Sequence, residues 1–227
     1  FTHFGYDINL VIHGDDLTLL GEEDMLDWFR KEITKKFEVK LRARLGPEAK
    51  DDKSVRILNR VVRYTDRGWE YEPDQRHAEL IINGLGLEHA KSVKSPGEDE
   101  KKGEEEENEQ ELGRSEATDY RGLVARANYL AQDRLDLQYA VKELSRGMSK
   151  PTEDNFEALK RLGRYLMGRP REVKLFQYQR SLGNLEVWTD TDFAGCKRTR
   201  KSTSGGVVAL GNHILKTWSS TQAVVSL

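Results

Sequence analysis

An acidic stretch at residues 98–116 constrains the fold more than any other feature, because it divides the chain into two parts. It holds 10 acidic and 3 basic residues and almost no apolar side chains. Such a segment buries too little apolar surface to offset the chain entropy that ordering would cost. We therefore predict disorder over Ser95–Ser115 and place a linker at 98–116. A nucleic-acid mimic or a metal sink is the alternative, but a charge run without aromatic residues favours a solvated linker.

Charge is distributed unevenly over the two parts. Residues 1–97 carry 16 basic and 18 acidic residues, whereas 117–227 carry 18 basic and 11 acidic residues. The second part is therefore the better candidate for a surface that binds a polyanion. With 227 residues and 37% hydrophobic content, the chain is long enough for two small cores, one on each side of the linker.

Two properties of the sequence limit the class of protein. No apolar run approaches the roughly 18 to 20 residues that span a bilayer, and the first residues lack the pattern of a signal peptide. Cys196 is the only cysteine, which excludes an internal disulfide and a cysteine-based zinc cluster. We expect a soluble intracellular protein of the cytoplasm or nucleus, without a membrane partner.

The first part alternates between strand and helix patterns. Asp7–Gly21 has two apolar runs around His-Gly-Asp-Asp, which predicts a strand, a tight turn and a second strand. Acidic residues at 22–24 and apolar residues at helical spacing then predict a helix. The runs 55–64 and 69–72 predict strands, and Pro73-Asp74 opens another helical pattern.

The second part begins with helices and ends with strands. Three apolar stripes at helical spacing predict successive helices, and three short strand-like runs predict an antiparallel meander. The stripes and runs are Tyr120–Ala131, Leu137–Met148, Phe156–Leu166, Leu185–Asp190, Gly205–Leu210 and His213–Ser219. The pattern that starts at Thr221 runs out at Leu227, so we expect a truncated chain.

Asp15 and Asp16 are the first candidates for chemistry. Adjacent carboxylates in a tight turn repel each other unless a cation, usually divalent, compensates. Carboxylates of this kind hold the Mg²⁺ ions that activate the attacking oxygen and stabilise the leaving oxygen in phosphoryl transfer. Ordinary solvated turn residues are the alternative. For an isolated Gly-Asp-Asp that alternative is favoured, since Gly and Asp are common in turns.

The motifs that accompany the aspartate pair change this balance. They are His13–Asp16, Ile57–Arg60, Tyr120–Val124, Asn128–Leu130, Leu144–Arg146, Pro151–Thr152, Arg164–Leu166, Trp188–Gly195, Arg200–Gly205 and Trp218–Gln222. Their order, over nearly the whole chain, resembles the reverse transcriptase and RNase H region of Ty1/copia-type retrotransposon Pol polyproteins. The most specific pair is Trp188–Gly195 with Arg200–Gly205, which is similar to the family's Ser-Asp-Ala-Asp-Trp-Ala-Gly and Arg-Lys-Ser-Thr-Ser-Gly.

Two motifs depart from the family pattern. His13-Gly14 replaces the Tyr-X of the usual Tyr-X-Asp-Asp turn. This replacement leaves metal binding by Asp15 and Asp16 possible but changes what packs beside the primer. Asn59 replaces the glycine of a Phe-Leu-Gly strand that supports the primer end in the family.

The resemblance implies an α+β fold with a defined organisation. For 1–97 it implies the remnant of a palm, made of a β-hairpin and helices, together with thumb-like helices. For 117–172 it implies a helical connection, and for 173–227 the first strands of an RNase H-like fold. The implied parent activity is RNA-directed DNA polymerisation with hydrolysis of the RNA strand of the hybrid. The implied partners are an RNA template, a DNA primer, an RNA·DNA hybrid and the rest of the Pol polyprotein.

Metal sites also follow from the resemblance. Asp15 and Asp16 would hold the polymerase metal and Asp190 the RNase H metal, Mg²⁺ or Mn²⁺. The family's other carboxylates lie upstream and downstream of this chain, so we expect the chain alone to catalyse neither reaction. Asp192 is a candidate for a structural role. The alternative is a non-catalytic, degenerate or repurposed element-derived protein that binds nucleic acid or a protein partner.

Basic residues in the second part are candidates for phosphate contacts. The basic residues on the third helix are as compatible with a solvated helix face as with phosphate binding. The basic residues after the proposed RNase H strand favour nucleic-acid binding. The two clusters are Lys160, Arg161 and Arg164, and Lys197, Arg198, Arg200 and Lys201. The four tryptophans are spaced as strand or core residues, so we predict that they pack rather than stack on bases. They are Trp28, Trp69, Trp188 and Trp218.

Overall fold

The computed structural model describes residues 1–97, 110–181, 183–196 and 199–225. Over these residues the protein is α+β, with three antiparallel sheets and five α-helices. The chain divides into two compact units, Phe1–Arg44 and Leu45–Leu227. Among the described helices, none combines the length and apolar character that crossing a membrane requires.

The first unit is a three-stranded sheet followed by a helix. Strands β1 (Thr2–His3), β2 (Ile8–His13) and β3 (Asp16–Leu20) pair in that order, and helix α1 spans Glu23–Thr34. The predicted hairpin and the helix after it are confirmed. Ile8 is the only buried residue of this unit, so the sheet has little apolar core of its own.

The described residues of the second unit form two sheets and four α-helices. The larger sheet has the order β4 (Ser54–Ile57), β5 (Arg60–Thr65), β6 (Gly68–Glu72) and β7 (Lys174–Gln177). The helices are α2 (Arg76–Gly84), α3 (Arg114–Ala131), α4 (Gln138–Arg146) and α5 (Glu153–Gly168). The smaller sheet is a meander of β8 (Leu185–Thr191), β9 (Thr203–Leu210) and β10 (His213–Thr221), with β9 in the centre. The three predicted helices and the predicted meander are confirmed.

Helices α2 to α5 enclose the apolar core of the second unit. The predicted stripes supply it, because their residues recur on the buried face of each helix. Helix α5 starts with a capping box, in which the Asn155 N–H donates to Thr152 Oγ1 and the Thr152 N–H donates to Asn155 Oδ1. The most deeply buried members include Ile81, Tyr120, Val124, Leu137, Val141, Leu159, Leu162 and Leu166.

The structure describes the last residues of the predicted linker, 110–116. Residues 98–109 lie outside the described residues. The Leu112 N–H donates to the Pro151 carbonyl oxygen at 2.9 Å, and the Leu112 side chain packs against the core. Helix α3 then begins at Arg114 rather than at 117, because this apolar anchor fixes the chain just ahead of it.

The run 55–64 was predicted as one strand, and that prediction is wrong. The chain reverses at Leu58 and Asn59, so that β4 and β5 form a tight hairpin with Ile57 paired to Arg60. Both turn residues are left-handed, with φ of 48° and 65°. Two-residue hairpin turns of this kind match the twist of their strands, and asparagine tolerates the conformation better than most residues. The glycine that the family has in place of Asn59 meets the same requirement.

Strand β7 joins the first part of the sequence to the region after the helices. It pairs antiparallel with β6, with Trp69 opposite Phe176. Gly68 makes the pairing possible: a Cβ there would lie 2.1 Å from the Phe176 carbonyl oxygen, and the residue has φ of +149°. The sequence pattern did not predict this strand, so the range 173–227 contributes to both sheets of the unit.

A buried arginine ties the helices to β7. Arg134, 1% exposed, donates from Nε and Nη2 to Asp136 at 2.9 and 2.7 Å and forms an ion pair with Glu172 Oε2 at 2.9 Å. Its Nη1 donates to the Arg169 carbonyl oxygen at 3.1 Å. The Tyr165 hydroxyl donates to the same Asp136 carboxylate at 2.8 Å. One guanidinium thus connects the end of α3, the start of α4, the end of α5 and the approach to β7.

Replacement of Arg134 by Met should lower the free energy of unfolding by about 3–5 kcal/mol, because two partly buried carboxylates lose their cation. Urea unfolding followed by circular dichroism measures the change. Arg126→Met, at an exposed arginine of α3, is the control and should change the value by less than about 0.5 kcal/mol. Equal midpoints for the two variants would contradict this account of Arg134.

Gly68→Ala should destabilise the protein by about 1–3 kcal/mol, because the new methyl group meets the β7 backbone and the φ is strained. The matched control is Gly122→Ala in α3, where a Cβ meets nothing within 4 Å. That change should stabilise the protein by about 0.5–1 kcal/mol, since alanine favours helix over glycine. Thermal unfolding of both variants measures these changes. A Gly68→Ala variant as stable as the unchanged protein would contradict the prediction.

Candidate functional site

The aspartate pair lies in the hairpin turn where the sequence predicts it. His13 pairs with Asp16, so Gly14 and Asp15 form a two-residue turn, with Gly14 left-handed at φ 61°. A glycine in the first central position is typical of such turns. Asp15 is exposed at the tip, whereas the Asp16 carboxylate forms an ion pair with Arg42 Nη2 at 3.1 Å. One of the two carboxylates therefore already has a cationic partner.

Asp190 lies at the exposed end of β8. It is opposite Gly205 of β9, and its Oδ1 accepts a hydrogen bond from the Thr191 N–H at 2.9 Å. Within the described ranges, no three His, Cys, Asp or Glu side chains come together as a group that could hold a metal ion. Asp15, Asp16 and Asp190 therefore fit only parts of the Mg²⁺ or Mn²⁺ sites that the resemblance implies.

Asp192 and Ser202 build the loop that follows Asp190. Asp192 Oδ1 accepts the N–H groups of Thr203 and Gly195 at 2.9 and 3.1 Å. The Thr203 hydrogen bond in particular holds the pKa of Asp192 below its ordinary value. The buried Ser202 hydroxyl accepts the Ala194 N–H at 3.0 Å. Asp192 is thus a loop anchor, which agrees with the structural role expected of it.

The basic residues of α5 make internal contacts. Lys160 forms an ion pair with Glu157 at 2.6 Å. Arg161 Nη2 donates to Ser95 Oγ at 3.0 Å, and Arg164 Nε donates to the Lys91 carbonyl oxygen at 2.8 Å. These two arginines fasten the segment 91–95 to the helix, which is a structural use that sequence alone did not reveal.

The basic residues between β8 and β9 are only partly described. Lys197 and Arg198 lie outside the described residues. Arg200 is exposed and left-handed at φ 55°, and its N–H donates to the Cys196 carbonyl oxygen at 2.7 Å. Lys201 is half-buried, two residues before β9. Because Thr191 pairs with Ser204, both basic residues lie at the end of the sheet that carries Asp190.

Trp188 does not pack as predicted. It is 53% exposed on β8, and every described residue of that strand is exposed. The other three tryptophans are half-buried; the Trp218 ring covers Gly206, where a Cβ would lie 2.2 Å from it. Both β8 and β10 are edge strands of the meander, but β10, which carries Trp218, also packs against α4, whereas β8 has its main contacts with β9.

An open apolar pocket of about 360 Å³ lies in the first unit. Strand residues and the helix α1 aromatic residues Trp28 and Phe29 line it. The sheet face that it occupies is otherwise exposed, with Phe1 86% and Ile12 47% accessible. This accords with the single buried residue of the unit.

Cys196 is the titratable group that sequence reasoning missed. Its Sγ accepts hydrogen bonds from Arg146 Nη2 at 2.7 Å and from the Thr199 N–H at 3.4 Å. Burial opposes ionisation of the thiol, but these hydrogen bonds outweigh it and lower the pKa to about 7. The pairing joins residues that are distant in sequence, so no local pattern could have indicated it.

Alkylation of Cys196 by iodoacetamide should follow a pH profile with its midpoint near 7, because the thiolate is the nucleophile. Arg146→Met removes the stabilising cation, so the midpoint should rise towards that of a free cysteine and the rate at pH 7 should fall about tenfold. Arg126→Met is the control and should leave the profile unchanged. A midpoint that ignores Arg146 would disprove the role of this contact.

Comparisons with known proteins give the relatives of the chain. No family model matches it, and no solved structure matches it. It is 42% identical over 106 residues to the retrovirus-related Pol polyprotein from transposon RE1 of Arabidopsis thaliana, which covers 47% of this chain and 7% of that protein. The polyprotein from transposon RE2 of the same plant is 44% identical over 103 residues, with 45% and 7% covered.

A shorter relative matches almost the whole chain. The uncharacterized mitochondrial protein AtMg00810 of Arabidopsis thaliana is 28% identical over 225 residues, which covers 96% of this chain and 85% of that protein. The chain thus spans a small part of the RE1 and RE2 polyproteins and most of AtMg00810. These matches make the chain a homologue of a segment of the retrovirus-related Pol polyproteins of Ty1/copia-type transposons.

Proposed function

We propose that the chain contains the C-terminal part of a reverse transcriptase and the opening strands of an RNase H domain, and that by itself it binds RNA·DNA hybrid without catalysis. The parent polyprotein would polymerise DNA on an RNA template and hydrolyse the RNA strand of the hybrid. In this proposal, 1–97 is the palm and thumb-like part, 117–172 the connection and 173–227 the RNase H part.

The observation that carries the proposal is the arrangement at one end of the β8–β9 sheet. Asp190 ends β8, while the anchored loop returns Arg200 and Lys201 to the same end. Cations at this place can contact the phosphates of a nucleic-acid backbone, while the neighbouring carboxylate can bind a metal ion.

Asp15, Asp16 and Asp190 supply the proposed metal ligands of the parent enzyme. Divalent ions held there would activate the attacking oxygen and stabilise the leaving oxygen. The described residues gather fewer than three ligands at either place. The Arg42 guanidinium next to Asp16 also neutralises part of the charge that a metal ion would otherwise meet. The chain's own residues therefore account for binding better than for turnover.

AtMg00810 favours a second candidate function, a repurposed element-derived protein that binds nucleic acid without chemistry. That protein exists over nearly the same extent as this chain, which covers 85% of it. The replacement of Tyr-X by His13-Gly14 in the aspartate turn is in keeping with relaxed catalytic constraint.

Affinity for a hybrid duplex should fall steeply with salt, because each phosphate contact releases counterions. Arg200→Met with Lys201→Met should weaken binding and reduce the salt slope by about 1 to 2. Fluorescence anisotropy of a labelled hybrid at several salt concentrations measures both quantities. Lys150→Met, at a lysine exposed between α4 and α5, should behave as the unchanged protein. Binding that is equally strong at high salt would count against the proposal.

The isolated chain should neither extend a primer on an RNA template nor cleave a hybrid in the presence of Mg²⁺ or Mn²⁺. Gel electrophoresis of labelled primer and labelled RNA tests both reactions. Primer extension that disappears in Asp15→Asn would show a complete polymerase site and refute the non-catalytic part of the proposal. Asp190→Asn serves the same purpose for RNA cleavage.

A further inference from the structure

The aspartate turn of the first unit already has a cation from the chain itself. Arg42 Nη2 lies 3.1 Å from Asp16 Oδ1, and Asp16 opens β3 directly after the exposed Asp15. Adjacent carboxylates in a tight turn repel each other unless a positive charge lies close by. The Arg42 guanidinium supplies that charge at the place where the proposed function puts a divalent ion.

Arg42 belongs to the segment 38–44, which follows α1 and has no helix or strand. Two residues further on, Arg44 fastens this segment to α1. Its Nη2 donates to Asp27 Oδ1, and its Nη1 lies 3.5 Å from Glu23 Oε1. The hydrogen bond from Arg44 holds the pKa of Asp27 below its ordinary value. The anchored Arg44 thus brings Arg42 to the turn.

The two arginines differ in how firmly they are enclosed. The Arg44 side chain is 23% exposed, whereas the Arg42 side chain is 68% exposed. Water competes strongly for both partners of an exposed ion pair, so such a pair is weak. The Arg42 guanidinium can therefore leave Asp16 without any change in the packing of the sheet or of α1.

A divalent ion is a strong competitor for the same carboxylate. It carries twice the charge of a guanidinium, and carboxylate oxygens are ligands that such ions prefer. It can bind Asp16 only in those molecules in which Arg42 has moved away, and its apparent affinity falls in proportion to that fraction. A weak internal ion pair thus lowers metal affinity without abolishing it.

We propose that Arg42 is an autoinhibitory counter-ion of the aspartate turn, which occupies Asp16 until a divalent metal ion displaces it. The inference rests on the proposed role of Asp15 and Asp16 as metal ligands, and it adds the residue that opposes this role. Arg42 contacts no metal ion in this account. Its effect is to set the metal concentration at which the turn becomes occupied.

A titration of the full chain with Mn²⁺ tests the proposal. Mn²⁺ is paramagnetic and broadens the NMR signals of nearby nuclei, so the amide signal of Gly14 reports binding at the turn separately from binding at the acidic stretch 98–116. Arg42→Met should lower the Mn²⁺ concentration at half-broadening about three- to fivefold, the size expected for loss of one exposed ion pair. Arg42→Met combined with Asp16→Asn should abolish this gain.

The matched control is Arg30→Met, which removes an exposed arginine of α1 and changes the net charge equally. It should shift the half-broadening concentration by less than about twofold, because exposed charges beyond hydrogen-bond distance are screened by water and salt. The amide spectrum outside the turn should match that of the unchanged chain in each variant, which verifies that the fold is retained.

The possible outcomes separate the inference from the function on which it rests. If Mn²⁺ broadens the Gly14 signal neither in the unchanged chain nor in Arg42→Met, the aspartates are not metal ligands and both proposals are refuted. Equal half-broadening concentrations in these two proteins would refute the inference alone. A gain that persists with Asp16→Asn, or that Arg30→Met reproduces, would show an effect of overall charge and would also overturn the role of Arg42.

Discussion

The second unit depends on the buried guanidinium of Arg134. Removal of a cation from water costs free energy. Arg134 stays charged here because it forms ion pairs with Asp136 and Glu172. Burial opposes ionisation of Asp136, yet the hydrogen bonds and charge of Arg134, together with the hydrogen bond from Tyr165, leave the pKa of Asp136 below its ordinary value. Burial, with Asp136 close by, raises the pKa of Glu172. The network fixes where α3 ends, where α4 begins and how the chain leaves α5 towards β7.

Sequence reasoning succeeded where the physical signal is local. The apolar stripes of the helices recur at the helical period, so α3, α4 and α5 follow from the sequence. Sequence reasoning failed where an element is very short or where its partner lies far away in the sequence. Strand β7 has four residues and acquires its partner from β6, far away in sequence. The turn at Leu58 and Asn59 is hidden because apolar and β-branched residues continue on both sides of it.

The same distinction between local and distant signals holds for the candidate site. The turn with Asp15 and Asp16 and the position of Asp190 at a strand end follow from short motifs, and both lie where these motifs indicate. The use of each charged side chain does not follow from motifs. Arg161 and Arg164 look like phosphate ligands in the sequence, but they bind Ser95 and the Lys91 carbonyl oxygen. The ion pair of Arg60 with Asp133 does not follow from the motif at 57–60 either, because Asp133 lies 73 residues further along the chain.

The pairing of β6 with β7 has a consequence for how the protein acquires its structure. Strands β4 to β6 precede the helices in the chain, whereas β7 follows them. During synthesis the ribosome must therefore release three strands, with the β6 edge still open, and four helices before the fourth strand emerges. Contacts between residues so far apart form slowly, since a long loop must close first. The unsatisfied edge of β6 is then the surface at which a nascent chain risks pairing with a neighbour, and Gly68 sits on that edge.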